Sequence, residues 1–324
     1  MLCRCGKELC KTHPDGDAKG RVVLPPTVEP VHYDLKLHLF LEQHRFDGEV
    51  TVKVSVKAPV KEIALHAKEL AFTGAECDGV AAKSVLVDFG ETTVTVAFED
   101  ALTVGEHSLR LTYGGILNAD MAGFYRSTYT DINGDKKLMA STQFESIDAR
   151  RCFPCWDEPR RKATFACTLR CPAHMTALSN MPETRTRTHG DGSKTTVFDA
   201  TPKMSTYLLA FVVGEFDHVA ATTKHGVLIR CWTPPGKPEL GEFALDCAVK
   251  ALDAYDDTFQ IPYPLPKSDM VAIPEFAAGA MENWGAGTRG PVLCNGGKAT
   301  PACTCAPLRP VLMQRCTRLQ SQGK

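Results

Sequence analysis

The sequence predicts a mainly β protein: an antiparallel β domain over residues 21–225, then the start of an α-rich domain. Three observations carry this reading. Apolar and polar residues alternate through most of the first two thirds of the chain. Turn-forming residues separate the alternating runs. A helical period replaces the alternation only near residue 238.

Taken in order, residues 1–20 read as a disordered leader, because almost none are apolar. Cys3, Cys5, Cys10 and His13 are soft ligands that could hold zinc, but their spacing fits no known zinc module. Strands then follow. Tyr33, Leu35, Leu37 and Leu39 alternate with Asp34, Lys36 and His38, and Val50, Val52, Val54 and Val56 with Thr51, Lys53 and Ser55. Val94, Val96 and Phe98, then Leu109, Leu111 and Tyr113, continue the pattern. Alternation of period two puts one strand face on a core and the other in water. Asp78-Gly79, Asn133-Gly134-Asp135 and Gly190-Asp191-Gly192-Ser193 are turn signals between strands.

From Pro238 the apolar positions Phe243, Cys247, Ala251, Tyr255 and Phe259 lie four apart, with Ala244, Ala248 and Leu252 beside them. They predict one apolar stripe on a helix of about 20 residues. Pro238 suits its first turn, and Pro262 and Pro264 follow its end. A buried strand is expected at Asp269–Ile273, so residues 226–285 read as a second, α-rich domain. Residues 286–324 contain six Lys or Arg and no Asp, Glu or aromatic residue, and show neither period. They read as a disordered tail.

Bulk properties narrow the function. A chain of 324 residues fits about two domains. The net charge of −1 gives no field for nucleic acid or an anionic membrane. The longest apolar run, Tyr207–Val213, is seven residues, far short of a membrane span of about 20. The N-terminus has no apolar stretch of the secretory kind, so the 14 cysteines read as reduced thiols and the protein as cytoplasmic.

Two polar elements stand out. Glu282 lies in a loop of small residues, Gly279-Ala280-Met281-Glu282-Asn283-Trp284-Gly285, straight after an apolar strand. Such a loop can present a carboxylate to a ligand while its glycine and alanine let a backbone approach closely. Gln143 and Glu145 stand two apart in what reads as a strand over 138–145, so both would face one side. Convergent carboxylates and amide oxygens are what a cationic α-amine needs if it is to leave water. By themselves, both elements read first as ordinary solvated polar residues.

The resemblance comes from longer stretches. Phe276 to Gly285 resembles the exopeptidase signature of the zinc aminopeptidases of the aminopeptidase N and puromycin-sensitive type. Ser141-Thr142-Gln143-Phe144-Glu145, with Asp148-Ala149-Arg150-Arg151 and Phe153-Pro154-Cys155-Trp156-Asp157-Glu158-Pro159, is similar to another of their segments. So are Met204-Ser205-Thr206-Tyr207-Leu208 and Tyr263-Pro264-Leu265-Pro266-Lys267-Ser268-Asp269. The likeness is collinear from about residue 22 to Gly285.

It implies a saddle-like β domain over 21–225 and, from 226, the truncated start of a thermolysin-like catalytic domain. It implies peptides with a free N-terminus as partners, with Glu282 as main amine anchor. Gln143 and Glu145 would line the subsite for the first residue, and Gly279, Ala280, Met281 and Asn283 would run beside the peptide. The family's zinc lies on an H-E-x-x-H downstream. Here the last histidine is His225, 39 residues follow Gly285, and the last tyrosine is Tyr263. No catalytic or metal-binding residue is therefore assigned, no zinc is expected on this chain, and it is expected not to hydrolyse aminoacyl substrates by itself. The alternative is a non-catalytic peptide-binding or regulatory form. The Cys152-x-x-Cys155 pair and Arg150-Arg151 read as structural.

Overall fold

The computed structural model describes residues 23–290 and the backbone of Cys10–Thr12. The expected leader, with Cys3, Cys5, His13 and the Cys10 side chain, otherwise lies outside the described residues. So do residues 291–324 of the expected tail.

The chain forms two compact units, and neither is a continuous stretch. One comprises residues 1–125, 143–172 and 185–207; the other comprises 126–142, 173–184 and 208–324. The division expected at 225/226 instead falls inside a hairpin. Asp217–Thr222 pairs with Leu228–Thr233 in one sheet, so both belong to the second unit.

The first unit is built on an eight-stranded sheet. Its long central strands are Thr164–Pro172, Val28–Phe40, Arg45–Val56 and Gly105–Ile116, in that order. All these pairings are antiparallel except that of Thr164–Pro172 with Val28–Phe40. A second sheet contains Ser84–Asp88, Thr93–Leu102 and Val60–His66. The predicted alternation holds: Leu35, Leu37, Leu39, Val50, Val52, Val54, Val94, Val96, Leu109 and Leu111 are all buried. The expected turn at Asp78-Gly79 joins Ala71–Cys77 to Val80–Ala81, and both its residues have positive φ, 51° and 80°. That is the primed turn whose twist matches a hairpin.

The segment Ala149–Pro159 lies at the heart of this unit. Tyr33 stacks on Phe165 at 4.8 Å between ring centres and meets Phe153 edge-on at 5.9 Å. Its hydroxyl accepts from the Trp156 amide at 3.1 Å. Arg150 donates to buried Asp157 at 3.0 Å, and Arg151 to Asp148 and Glu69. The dibasic pair is thus an ion-paired element of the core. Cys152 and Cys155 are fully buried free thiols, and burial pushes both far above the ordinary range, so neither is a ready thiolate.

The second unit holds a four-stranded and a five-stranded sheet and one helix. The four-stranded sheet runs Gly123–Thr130, Lys136–Gln143, Phe211–Gly214, Thr176–Ser179. The five-stranded sheet runs Asp217–Thr222, Leu228–Thr233, Lys267–Ala272, Ala286–Arg289, Ala280–Met281. Leu228–Thr233, Lys267–Ala272 and Ala286–Arg289 are parallel, and the helix Glu242–Phe259 links the first two. No helix among the described residues is long and apolar enough to cross a membrane.

The helix buries the middle of the expected stripe, with Ala248 and Leu252 in the core and Ala244 and Tyr255 packed against it, adds Leu245, and leaves the two ends of the stripe out. Leu245, Ala248 and Leu252 pack on Ile229, Cys231, Tyr263, Leu265 and Met270, whereas Phe243 and Phe259 are about half exposed, at 51% and 47%. Residues spaced by four advance about 40° per step, so a run from 243 to 259 winds about 160° round the axis. Spacings of three and four alternate in Leu245–Ala248–Leu252 and stay on one side. A second correction concerns the expected tail. Its first residues, Ala286–Arg289, form a buried strand of the sheet. Their small and polar side chains show no period because the strand is covered on both faces.

Asp157→Ala would leave the buried guanidinium of Arg150 without its carboxylate. We expect a loss of about 3–5 kcal/mol, measured as a drop in the urea midpoint of the first unit.

Candidate functional site

The Glu282 loop is the turn of a tight hairpin in the second unit. Ala280 pairs with Arg289 and Met281 with Thr288. Ala286 N–H donates to Asn283 O at 3.1 Å and closes the turn. Side chains alternate along it: Met281 and Asn283 are each 1% exposed, and Glu282 between them is half-buried. Asn283 uses its amide internally, donating to the Thr288 hydroxyl at 3.2 Å. Gly279 is exposed and Ala280 half-buried. Glu282 is therefore the single charged side chain of residues 279–285, and among the described residues it forms no ion pair.

Gly285 is required by its surroundings. Its φ is +77°, and a Cβ would sit 2.3 Å from the Asn180 carbonyl oxygen. That oxygen belongs to a main chain that cannot yield easily.

Gln143 and Glu145 belong to the first unit, and the expected common strand face is corrected. The strand ends at Gln143, and Glu145 is exposed in the turn that follows, closed by Asp148 N–H to Phe144 O at 2.9 Å. Phe144 anchors that turn against Phe153 at 6.1 Å. Two polar residues two apart share a face only while the chain stays extended. Here Asp148 starts a 3₁₀ turn, Ala149–Arg151, and the strand must stop short of it. The structure thus brings Gly279–Asn283 together in one hairpin, while Gln143 ends a strand and Glu145 lies in the turn after it.

Several residues important to the hairpin were missed. Lys267 is buried and donates to Asp269 Oδ2 at 2.7 Å, Ser179 O at 2.6 Å and Gly285 O at 2.9 Å. Arg230 makes a two-pronged contact with Asp269 at 2.6 and 2.8 Å. Burial works against the Asp269 carboxylate, but Lys267 and Arg230 outweigh it and hold it below the usual range. Burial draws the Lys267 ammonium down, with Asp269 opposing. Opposite charges two apart on one strand were a signal for this pair; nothing in the sequence pointed to Asn180. Arg289, buried at the end of the hairpin, is lowered to about 10 by burial.

Among the described residues, side chains of the kind that hold zinc gather at one place. One group of three, Cys77, Asp78 and His107, has ligand atoms within 4.8 Å of one another. Its atoms are already engaged. His107 Nδ1 meets Asp78 Oδ2 at 2.6 Å and Nε2 meets Thr103 O at 2.8 Å; Asp78 Oδ1 accepts from Ser108 N–H. Two acceptors on one ring call for the doubly protonated imidazolium, which is no metal ligand. Burial pushes the Cys77 thiol up to about 12. The group is a hairpin clasp rather than a metal site.

A family model described as the Peptidase M1 N-terminal domain matches residues 29–208, more than half of the chain. The chain belongs to peptidase family M1. A second model, the Peptidase family M1 domain, matches residues 243–294, which takes the likeness past Gly285. Aminopeptidase M1-B of Oryza sativa subsp. japonica is 47% identical over 270 residues, 82% of this chain and 30% of that protein. Puromycin-sensitive aminopeptidase of Caenorhabditis elegans is 44% identical over 268 residues, 81% and 28% respectively. Alanine/arginine aminopeptidase of Saccharomyces cerevisiae is 42% identical over 270 residues, 82% and 31%. The chain spans about 30% of the length of these relatives.

Two outcomes test this geometry. Gly285→Ala is expected to cost at least about 1–3 kcal/mol from the positive φ, read as a lower urea midpoint with unchanged far-UV circular dichroism. The hydrogen bond to Asp78 raises His107 above its ordinary 6.5. Its stabilisation is complete below that value and is lost as pH rises through the raised one. The fall in urea midpoint between pH 6 and pH 9 should therefore shrink in His107→Gln.

Proposed function

We propose that this chain carries the N-terminal-amine recognition elements of an M1 aminopeptidase and that its own activity is to bind peptide N-termini. Glu282 is the anchor for the α-ammonium. Gln143 and Glu145 contact the first residue of the peptide, and Gly279, Ala280 and Met281 run beside its backbone. The observation that carries this is the hairpin itself: one carboxylate, flanked by two buried side chains, on a turn held by Gly285. A main chain kept in place this way offers the carboxylate to an ammonium, as an acceptor of charge-assisted hydrogen bonds, without the loop first being ordered.

Removal of N-terminal residues from peptides is the activity we propose for a chain that also holds the zinc-binding part. The relatives named aminopeptidase, all about three times longer, support it. The present sequence has no H-E-x-x-H, so no hydrolytic step is assigned to its residues. We place the protein in the cytoplasm. Two features support that placement: the cysteine-rich composition with buried free thiols at Cys152 and Cys155, and the lack of any helix among the described residues able to cross a membrane.

The test is calorimetric titration with a short peptide and its N-acetylated twin. The free-amine peptide should bind at least about tenfold more tightly, the worth of one charge-assisted hydrogen bond. Glu282→Ala should abolish the difference. Affinity should fall as the pH passes about 8, where the α-amine loses its proton. Equal binding of the two peptides would overturn the proposal.

A further inference from the structure

Two consecutive carbonyls end the Glu282 loop, and each is gripped by a buried side chain from elsewhere in the second unit. Asn180 Nδ2 donates to Trp284 O at 2.8 Å. Lys267 Nζ donates to Gly285 O at 2.9 Å, where the Asp269 amide also donates at 2.9 Å. Both side chains are saturated. The three N–H bonds of Lys267 meet three acceptors. Asn180 also donates to Leu208 O and accepts from Ala210 N–H, each at 2.8 Å. Their grips are linked, because Lys267 holds the carbonyl of Ser179, the neighbour of Asn180.

A buried ammonium is a costly way to hold a sheet together. The strand beside it is already paired through Asp269↔Ala286 to Ala272↔Arg289. The two side chains act on the turn rather than on that ladder, two and three residues after Glu282.

We propose that Lys267 and Asn180 are positioning residues for amine recognition: together they fix the end of the Glu282 loop, so that the carboxylate is presented in one orientation before the peptide arrives. This rests on the reading of Glu282 as the amine anchor. Lys267 is paired with Asp269, and Asp269 is in turn held by Arg230. The chain of support thus runs from Arg230 to the loop.

The experiment combines amide hydrogen exchange with peptide titration on the full chain, unsubstituted and as Asn180→Asp and Lys267→Met. Asn180→Asp keeps size and the acceptor for Ala210 but removes the donor to Trp284 and with it the one to Leu208. We expect exchange of amides 281–286 to rise about tenfold in each variant while the Asp217–Thr222 and Leu228–Thr233 hairpin stays protected. Affinity for the free-amine peptide should fall about tenfold, with the acetylated peptide unaffected. Unchanged exchange in the loop, or equal loosening of the whole five-stranded sheet, would overturn the proposal. Should neither variant fold, the unsubstituted chain decides: amides 281–286 as protected as those of Leu228–Thr233 support the clamp, and free exchange there overturns it. Failure of the unsubstituted chain to distinguish the two peptides would sink the role of Glu282 instead, and exchange alone would then judge the clamp.

Discussion

A positive charge inside a protein must have every one of its N–H groups met, and the second unit is organised around that demand at Lys267. The ammonium has three donors, and three separate pieces of chain supply the acceptors: Ser179, Asp269 and Gly285. Each piece is therefore constrained in position to within hydrogen-bond tolerance. Arg230 completes the arrangement by taking up the rest of the Asp269 carboxylate. Apolar packing beneath the helix, from Leu245 to Leu252, supplies adhesion without direction. Direction comes from the charge, because a hydrogen bond specifies distance and angle where a methyl contact does not.

The first unit uses the same logic at Arg150 and Asp157, but there the charges serve a purely internal end. The pair sits beside the aromatic group of Tyr33, Phe153 and Phe165 and near the buried Cys155. His66 accepts from the Asp157 amide, and its main chain exchanges two hydrogen bonds with that of Cys155. The segment with the densest run of distinctive residues in the chain is thus a structural keystone, and its cysteines are shielded from redox chemistry.

What was legible in the sequence was what depends on neighbours along the chain. Period-two alternation located the strands from Tyr33 to Tyr113, because half-buried sheets write their burial into every second residue. The Asp78-Gly79 turn was equally plain, since few residues tolerate its backbone. The helix was located with part of its buried side, Ala248 and Leu252, but the ends of the stripe, Phe243 and Phe259, lie out of the core: a spacing of four winds round a real helix. Glu282 is singled out by the resemblance of Phe276 to Gly285, not by its loop of small residues alone. Its supports are not singled out. Asn180 sits 104 residues from the carbonyl it holds, and no local pattern records such a contact. Thr288 and Arg289 read as tail in the sequence because a strand covered on both faces carries no alternation.

The interleaving of the two units also has a bearing on how the chain is made. Lys136–Gln143 and Thr176–Ser179 do not pair with each other; Phe211–Gly214 lies between them. The Thr142 hydroxyl waits 69 residues for its partner at Phe211. Until then both strands leave the ribosome with open edges, and at about 5–20 residues per second that interval lasts several seconds. Open edges invite pairing with other chains. Nascent molecules of this protein therefore carry unpaired strand edges between synthesis of Gln143 and of Gly214, a window in which holding by a chaperone would guard against misassembly.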